Sequence, residues 1–592
     1  MNTTKVEDKL ADFTQDRRII TLSLMAVVIG VMSALVAVVL VWLIAVITNL
    51  AFYQTFSAVF RSPEQNQLGY LVIAVPVIGG LVIGLTARYG SEKIRGHGIP
   101  EALEAILFGR SRMTPKVAVL KPISSAISIG TGGPFGAEGP IIMTGGAIGS
   151  LFAQLFNLSS SERKTLLVAG AAGGMAAIFA APVAAVLLAV ELLLFEWKPR
   201  SFIPVAVAAA VAGALRVPLM GAGPIFPVTP HAALDGEGLL IAFAVGIIAG
   251  IGSGLLTNLV YACEDLFERI PIHWMWYPAI GGVFVGLGGF FEPRVLGVGY
   301  DTIHDLLRGE IIGGAIIGLL IGKSLVWSIA LGSGTSGGVL APLLIMGGAL
   351  GAFEARFIPI GDVGEWAIIS MAAMMAGTMR SPLTAMVFTL ELTHDLNLLP
   401  ALLVGSIAAH AFTVLALPRS ILTEKVARRG YHITREYSVD PLTALRVEEV
   451  MNKNVPTIPA TMKVRELADR IAKRDPYLTR LQGVPILNEE GKLAGIITRG
   501  DVLRVLEDSE NANITVLDAG SRDLVVTYPD EILQEAVTKM LQHDIGRLPV
   551  VDRQDTKRLI GYLGRASVMA ARLKLHEEEN VREQGIHSTK TA

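Results

Sequence analysis

From residue 19 to residue 54 the chain carries no charged side chain. A stretch so long and so apolar cannot be the surface helix of a soluble domain. At about 1.5 Å per residue it overspans a hydrocarbon core of about 30 Å, so it reads as a strongly tilted membrane helix. Further apolar runs occupy 71–87, 163–193, 203–216, 239–260, 275–291, 311–331, 364–378 and 399–417, several of them short or interrupted by glycine and proline. Lipid tolerates such backbone only where protein or a water-filled cavity covers it. The composition, 52% hydrophobic and 17% charged, agrees with an integral multi-pass protein of the lipid bilayer. Arg17 and Arg18 before the first run, and Lys425, Arg428 and Arg429 after the last, predict that both termini are cytosolic. The net charge of −2 points to no nucleic-acid partner, and the single Cys263 excludes an intramolecular disulfide.

The membrane part repeats itself. Sliding its first half by 202 residues brings Pro76, Gly79, Gly80 and Gly84 onto Pro278, Gly281, Gly282 and Gly286, and Lys121 onto Lys323. The same shift brings Gly130, Gly132, Gly136 and Pro140 onto Gly332, Gly334, Gly338 and Pro342; at a shift of 200, Pro182 and Glu191 meet Pro382 and Glu391. Transporters made of related halves bind substrate where discontinuous helices from both halves point inward. The matched breaks are TGGPFGAEGP (131–140) and GSGTSGGVLAP (332–342), with RGHGIP (95–100) as a third, glycine-flanked helix start. Their glycine, serine and threonine lining, with no nearby lysine or arginine, predicts backbone N–H groups and hydroxyls around a small anion. The breaks hold a single carboxylate, Glu138, whereas a cation site would want several.

GHGIP (96–100), GAEGP (136–140), GGVLAP (337–342) and TEKVARRG (423–430) together resemble the CLC family of chloride channels and chloride/proton exchangers, whose signatures are GSGIP, GKEGP or GREGP, and GxFxP. The resemblance runs from about residue 15 to residue 430. It implies an all-α polytopic membrane domain of two inverted repeats with broken helices, in a homodimer with one anion pathway per subunit. Glu138 matches the gating glutamate, whose carboxylate competes with chloride. The anion site would be lined by His97, Gly98, Ile99, Gly139, Gly338, Val339, Leu340 and Leu422. Three of these depart from the family pattern: His97 stands at the central serine, Leu340 at the phenylalanine of GxFxP, and Leu422 at the pore tyrosine. The inner glutamate that relays protons in many exchangers falls on Leu192, while Glu191 matches a different carboxylate, structural or at the cytosolic vestibule.

After residue 430 charged residues become frequent and short apolar bursts alternate with them. VPILNEEGKLAGIITRGDVL (484–503) and LPVVDRQDTKRLIGYLGRASVM (548–569) each read as strand, turn, strand, helix and resemble a pair of CBS domains. Such pairs often bind adenine nucleotides (ATP, ADP or AMP). Thr498 and Asp501 keep the Thr-x-x-Asp pattern for ribose and phosphate, whereas the second repeat has Gly564 and Ser567. No cofactor is required for transport.

The expected organisation is therefore a cytosolic tail (1–18), the transport domain (19–430, halves about 19–216 and 239–428) and a linker (431–446). An α/β tandem CBS pair (447–506 and 512–572) and a flexible tail (573–592) follow. The expected function is passive, channel-type chloride transport across a prokaryotic plasma or inner membrane, voltage- or pH-gated by Glu138 and regulated by the CBS pair. Proton-coupled chloride exchange is the alternative, since water can sometimes replace a relay side chain, with fluoride export behind it. No metal or nucleophile spacing in the membrane half suggests an enzyme.

Overall fold

A computed structural model describes residues 18–430, 442, 445–473, 475, 483–507 and 513–580. Most of the expected N-terminal tail and linker, and residues 581–592, lie outside the described residues. The chain forms two compact units, one reaching Tyr437 and the other spanning Ser438–Val581.

The first unit is helical. Its first half contains α1 (Arg18–Tyr53), α2 (Ala74–Tyr89), α3 (Ile99–Leu107), α4 (Pro115–Gly130), α5 (Glu138–Ala153), α6 (Ser160–Phe179), α7 (Pro182–Leu188) and α8 (Pro199–Met220). The second half repeats the order with α9 (Gly236–Glu268), α10 (Tyr277–Phe291), α11 (Tyr300–Leu307), α12 (Gly314–Gly332), α13 (Leu340–Glu354), α14 (Val363–Met379), α15 (Pro382–Thr393) and α16 (Leu399–Ala416), and α17 (Ile421–Arg428) closes the unit. Prolines open α4, α7, α8, α10, α15 and α16, where the missing N–H has no intrahelical acceptor to lose. Among the described residues, seven helical stretches are long and apolar enough to cross a membrane. The shorter α5, α6, α13 and α14 are buried on nearly every side, which is why they lack a polar face.

The halves contact each other reciprocally. A Cβ added to Gly80 would stand 2.3 Å from the Pro278 carbonyl oxygen, and one added to Gly282 would stand 2.5 Å from that of Pro76. The backbones of α2 and α10 therefore touch at residues that the 202-residue shift pairs, and only glycine permits that approach. A contact returned residue for residue implies an approximate two-fold axis between the halves. A second reciprocal contact lies beyond α7, which passes into a π turn at Ala189–Leu194. Glu191 in that turn accepts the N–H groups of Leu383 (3.2 Å) and Thr384 (2.9 Å) and the Thr384 hydroxyl (2.6 Å), at the start of α15. Glu391 returns the bond to Val183 (3.0 Å) and Ala184 (2.8 Å), at the start of α7. Each glutamate caps the proline-led helix of the other half.

The second unit holds α18 (Val447–Val450), β1 (Ile458–Pro459), α19 (Val464–Ala472), β2 (Gly483–Leu487), β3 (Leu493–Thr498) and α20 (Arg499–Glu507). It continues with α21 (Val516–Ala519), α22 (Leu533–Gln542), β4 (Arg547–Val551), β5 (Leu559–Gly564) and α23 (Arg565–Asn580). β2 and β3 pair antiparallel with β1 parallel at the edge, and β4 and β5 pair antiparallel. Strand, turn, strand, helix thus occurs twice, as the sequence predicts. Val447 of α18 packs in one core with Leu533, Leu548 and Leu563, while Val516 of α21 packs with Ile458, Ile486 and Ile497. The leading helix of each repeat completes the other repeat's core, so neither repeat is closed at the expected limits. At the far end α23 runs on to Asn580, past the expected boundary at 572, through residues with strong helix propensity.

Candidate anion pathway

Three broken stretches are stitched together at the centre of the membrane unit. Gly337 N–H donates to the Gly96 carbonyl at 3.4 Å, Gly338 N–H to Gly136 at 2.9 Å, and Gly136 N–H to Gly338 at 3.4 Å. These strand-like bridges bring the N-termini of α3, α5 and α13 to one place. The approach is close: a Cβ on Gly139 would lie 1.9 Å from the His97 carbonyl oxygen and 3.2 Å from the Gly338 Cα. Gly98, with φ of 90°, turns the chain into α3.

Glu138, first residue of α5, is 0% exposed. Its carboxylate accepts the N–H of Leu340 and, at 3.1 Å, that of Ala341, the first two amides of α13. Those amides have no acceptor within their own helix and carry the positive end of its dipole. The Glu138 carboxylate therefore occupies two amides of a kind that suits an anion, and its second oxygen, Oε2, is buried with no partner. The other sequence-predicted residues divide. Ile99 and Gly139 are first-turn residues whose N–H groups have no acceptor within their helix. Two amides are committed elsewhere: Gly98 N–H donates to Glu101 Oε2 at 3.0 Å, and Gly338 N–H to Gly136. Val339, Leu340 and Leu422 are buried, and Leu340 contributes its amide rather than its side chain.

The expectation of no lysine or arginine nearby is corrected. Lys121 Nζ donates to the carbonyls of Ile94 and Gly96, both at 2.8 Å, and holds the loop that leads to His97. Its repeat partner Lys323 does the same for Val295 (2.8 Å) and Gly297 (3.2 Å). Arg95 stacks its guanidinium 4.5 Å over the Trp274 ring, beside Gly334. Glu101 is met by Arg429 at 3.1 Å and Lys425 at 3.9 Å. The matched lysines were visible in the sequence as a repeat, but their task became legible only when the chain folded each onto a loop. A hydroxyl cluster was missed outright: Ser125 and Ser336 touch at 2.8 Å, with Ser124 at 3.4 Å.

His97 is 2% exposed and its Nδ1 is buried without a partner. Leu192 is fully buried. Glu191, left open between structure and vestibule, is a helix cap. The hydroxyl lost at Leu422 has a neighbour that sequence did not reveal, since Tyr261 of α9 donates to the Ile421 carbonyl beneath the Arg428 guanidinium. That proton is committed to a backbone oxygen, so Tyr261 anchors α17 rather than serving an anion.

In the second unit, Asp501 Oδ2 accepts the Thr498 N–H (2.9 Å) and hydroxyl (2.7 Å), and Oδ1 accepts Arg504 at 2.5 Å. The Thr-x-x-Asp pattern thus caps α20. Across the repeats, the Tyr562 hydroxyl donates to the Gly483 carbonyl at 3.0 Å, and burial pushes its pKa up despite nearby Arg547. Arg547, beside Gly483, keeps Nη1 buried and without a partner.

Helix N-termini gathered from both halves of a broken-helix membrane fold, around a seat filled by a carboxylate, define an anion-transport protein. The family described as "Voltage gated chloride channel" matches residues 79–414, and the chain belongs to it; CBS domains match 447–508 and 516–574. The chain is 28% identical over 413 residues to the H(+)/Cl(-) exchange transporter ClcA of Klebsiella pneumoniae, covering 67% of this chain and 86% of that one. It is 28% identical over 368 residues to the voltage-gated ClC-type chloride channel ClcB of Escherichia coli, covering 60% and 87%. A slow cyanobacterial Cl-/H+ antiporter superposes with a TM-score of 0.61 at 23% identity, over 70% of this chain and 98% of that one. A eukaryotic CLC transporter does so at 0.61 and 18% identity, over 93% and 98%. At those identities the two structures speak for the fold alone. The protein moves chloride through its membrane unit and is not an enzyme.

Proposed function

We propose that the chain exchanges chloride for protons, with Glu138 as the gate shared by both ions. The observation that carries this reading is the Glu138 carboxylate on the Leu340 and Ala341 amides. An ionised carboxylate holds those donors as chloride would, and a neutral acid does not, so opening the seat to chloride loads a proton on the gate. The similarity to the exchange transporter of Klebsiella supports the same reading. Passive conduction is the second reading, favoured by the buried Leu192 and by the equal identity to the Escherichia channel. His97, Gly98, Ile99, Gly139, Gly338, Val339, Leu340 and Leu422 surround the proposed anion position.

The test is reconstitution of purified protein in liposomes with simultaneous chloride and pH readouts. Under a chloride gradient the wild type is expected to drive protons uphill; chloride flux with no proton movement would leave only the passive reading. Glu138→Gln imitates the protonated gate and is expected to raise chloride flux or abolish its pH dependence. Flux and pH response identical to wild type would remove Glu138 from the gate.

The protein works, on this reading, as a homodimer in a prokaryotic plasma or inner membrane, with both termini cytosolic. The CBS pair regulates it by binding an adenine nucleotide, with Thr498 and Asp501 on the ribose side and the unpaired Arg547 on the phosphate side.

A further inference from the structure

Exchange through this pathway needs a route for protons to Glu138, and Leu192 supplies no titratable group to that route. The π turn that carries Leu192 has one titratable residue, Glu191, whose carboxylate is spent on three donors of α15. His97 is different. It is the one imidazole in the three broken stretches, and its backbone carbonyl lies against Gly139, the residue after Glu138. Its Nδ1 is buried and unpartnered, so one of its two ring positions is held by no protein group.

The charges that face His97 come from three elements: Glu101 on α3, Lys121 on α4, and Lys425 and Arg429 on α17. From α5, Gly139, the residue after Glu138, meets the His97 backbone carbonyl. Around this buried ring three cations stand against the single carboxylate of Glu101. An anion in the neighbouring seat changes that balance, because a chloride beside the ring stabilises an imidazolium. Neutral imidazole is therefore poised to take a proton when the pathway is loaded and to return to neutral by giving it up.

We propose that His97 is the inner proton-binding residue of the pathway, doing by a ring nitrogen what Leu192 cannot do. A proton from inner-side water adds to the neutral ring to give imidazolium. The imidazolium then passes it, by way of pathway water, to the Glu138 carboxylate, leaving a neutral ring and a neutral acid. This inference rests on the exchange reading, and the experiment separates the two. Full-length wild type, His97→Asn and His97→Ser are reconstituted in phosphatidylethanolamine–phosphatidylglycerol vesicles, and the number of protons moved per chloride is measured under a chloride gradient. The asparagine keeps hydrogen-bonding capacity without titration, and the smaller serine is the second variant should asparagine fail to fold. The readout is the ratio, because a change in rate alone does not alter it. The ratio is expected to fall by about tenfold or more in both variants, and the dependence of chloride flux on internal pH between about 5 and 8 to flatten. Coupled wild type with equally coupled variants overturns the role of His97 and leaves exchange standing. A wild type that moves chloride without protons overturns exchange and this inference together.

Discussion

Glu138 uses its own carboxylate to occupy the two amides that the start of α13 would otherwise present to an anion. Around that seat, single atoms decide what is tolerated. An alanine at Gly139 would press its Cβ into the His97 carbonyl, backbone against backbone, with no flexible side chain to yield. Gly139→Ala is expected to destabilise the membrane unit by about 1–3 kcal/mol. It should also cut chloride flux in the folded fraction, measured as flux per monodisperse protein. Tyr261 makes a second test at this scale. Its hydroxyl satisfies the buried Ile421 carbonyl while its ring carries Arg428. Tyr261→Phe keeps the ring and removes this second hydrogen bond to a carbonyl at the start of α17, so it is expected to cost about 0.5–1.5 kcal/mol and to lower the apparent Tm in detergent.

At the scale of elements, the reciprocal caps explain a regularity of the sequence. Glu191 and Glu391 repeat at a spacing of 200 because each serves the other half's helix, α15 or α7. Removing either carboxylate leaves first-turn amides without their acceptor. Glu191→Ala and Glu391→Ala are each expected to cost about 1–2 kcal/mol, read as a fall in apparent Tm, with the proton-to-chloride ratio unchanged. A change in that ratio in Glu191→Ala would return Glu191 to the proton route. The lysine tethers follow the same logic. Lys121 and Lys323 fix the approach to α3 and α11 by charge-assisted bonds to carbonyls, a role that a repeat in the sequence marks but does not describe.

For the molecule as a whole, two architectures share one chain. The membrane unit is two halves related by an approximate two-fold, and the second unit is a pair of repeats that exchange their leading helices. Arg547 beside Gly483, with Tyr562 bonded across to the same residue, joins the two repeats and keeps its Nη1 buried and without a partner. ATP or AMP in excess over its Kd is expected to raise the apparent Tm of the full chain, and Arg547→Ala to remove most of that shift. A nucleotide-independent Tm, checked by calorimetric titration, would leave the pair as a regulator that acts by packing alone.

Apolar runs, matched glycines and prolines, and the strand–turn–strand–helix bursts were enough to define a membrane domain of two related halves followed by an α/β pair. They were enough because hydrophobic burial and backbone stereochemistry are written locally, in side-chain type and spacing. The short signatures also located the three breaks and Glu138. What sequence could not supply was the partner of each polar group, because partners more than a hundred residues away meet only through packing. Tertiary structure alone put Glu138 on Leu340, Glu191 on α15 and Tyr261 on Ile421. It also committed the amides of Gly98 and Gly338 elsewhere and left the buried Nδ1 of His97 without a partner, because hydrogen bonding in a closed site is settled by geometry rather than by residue type.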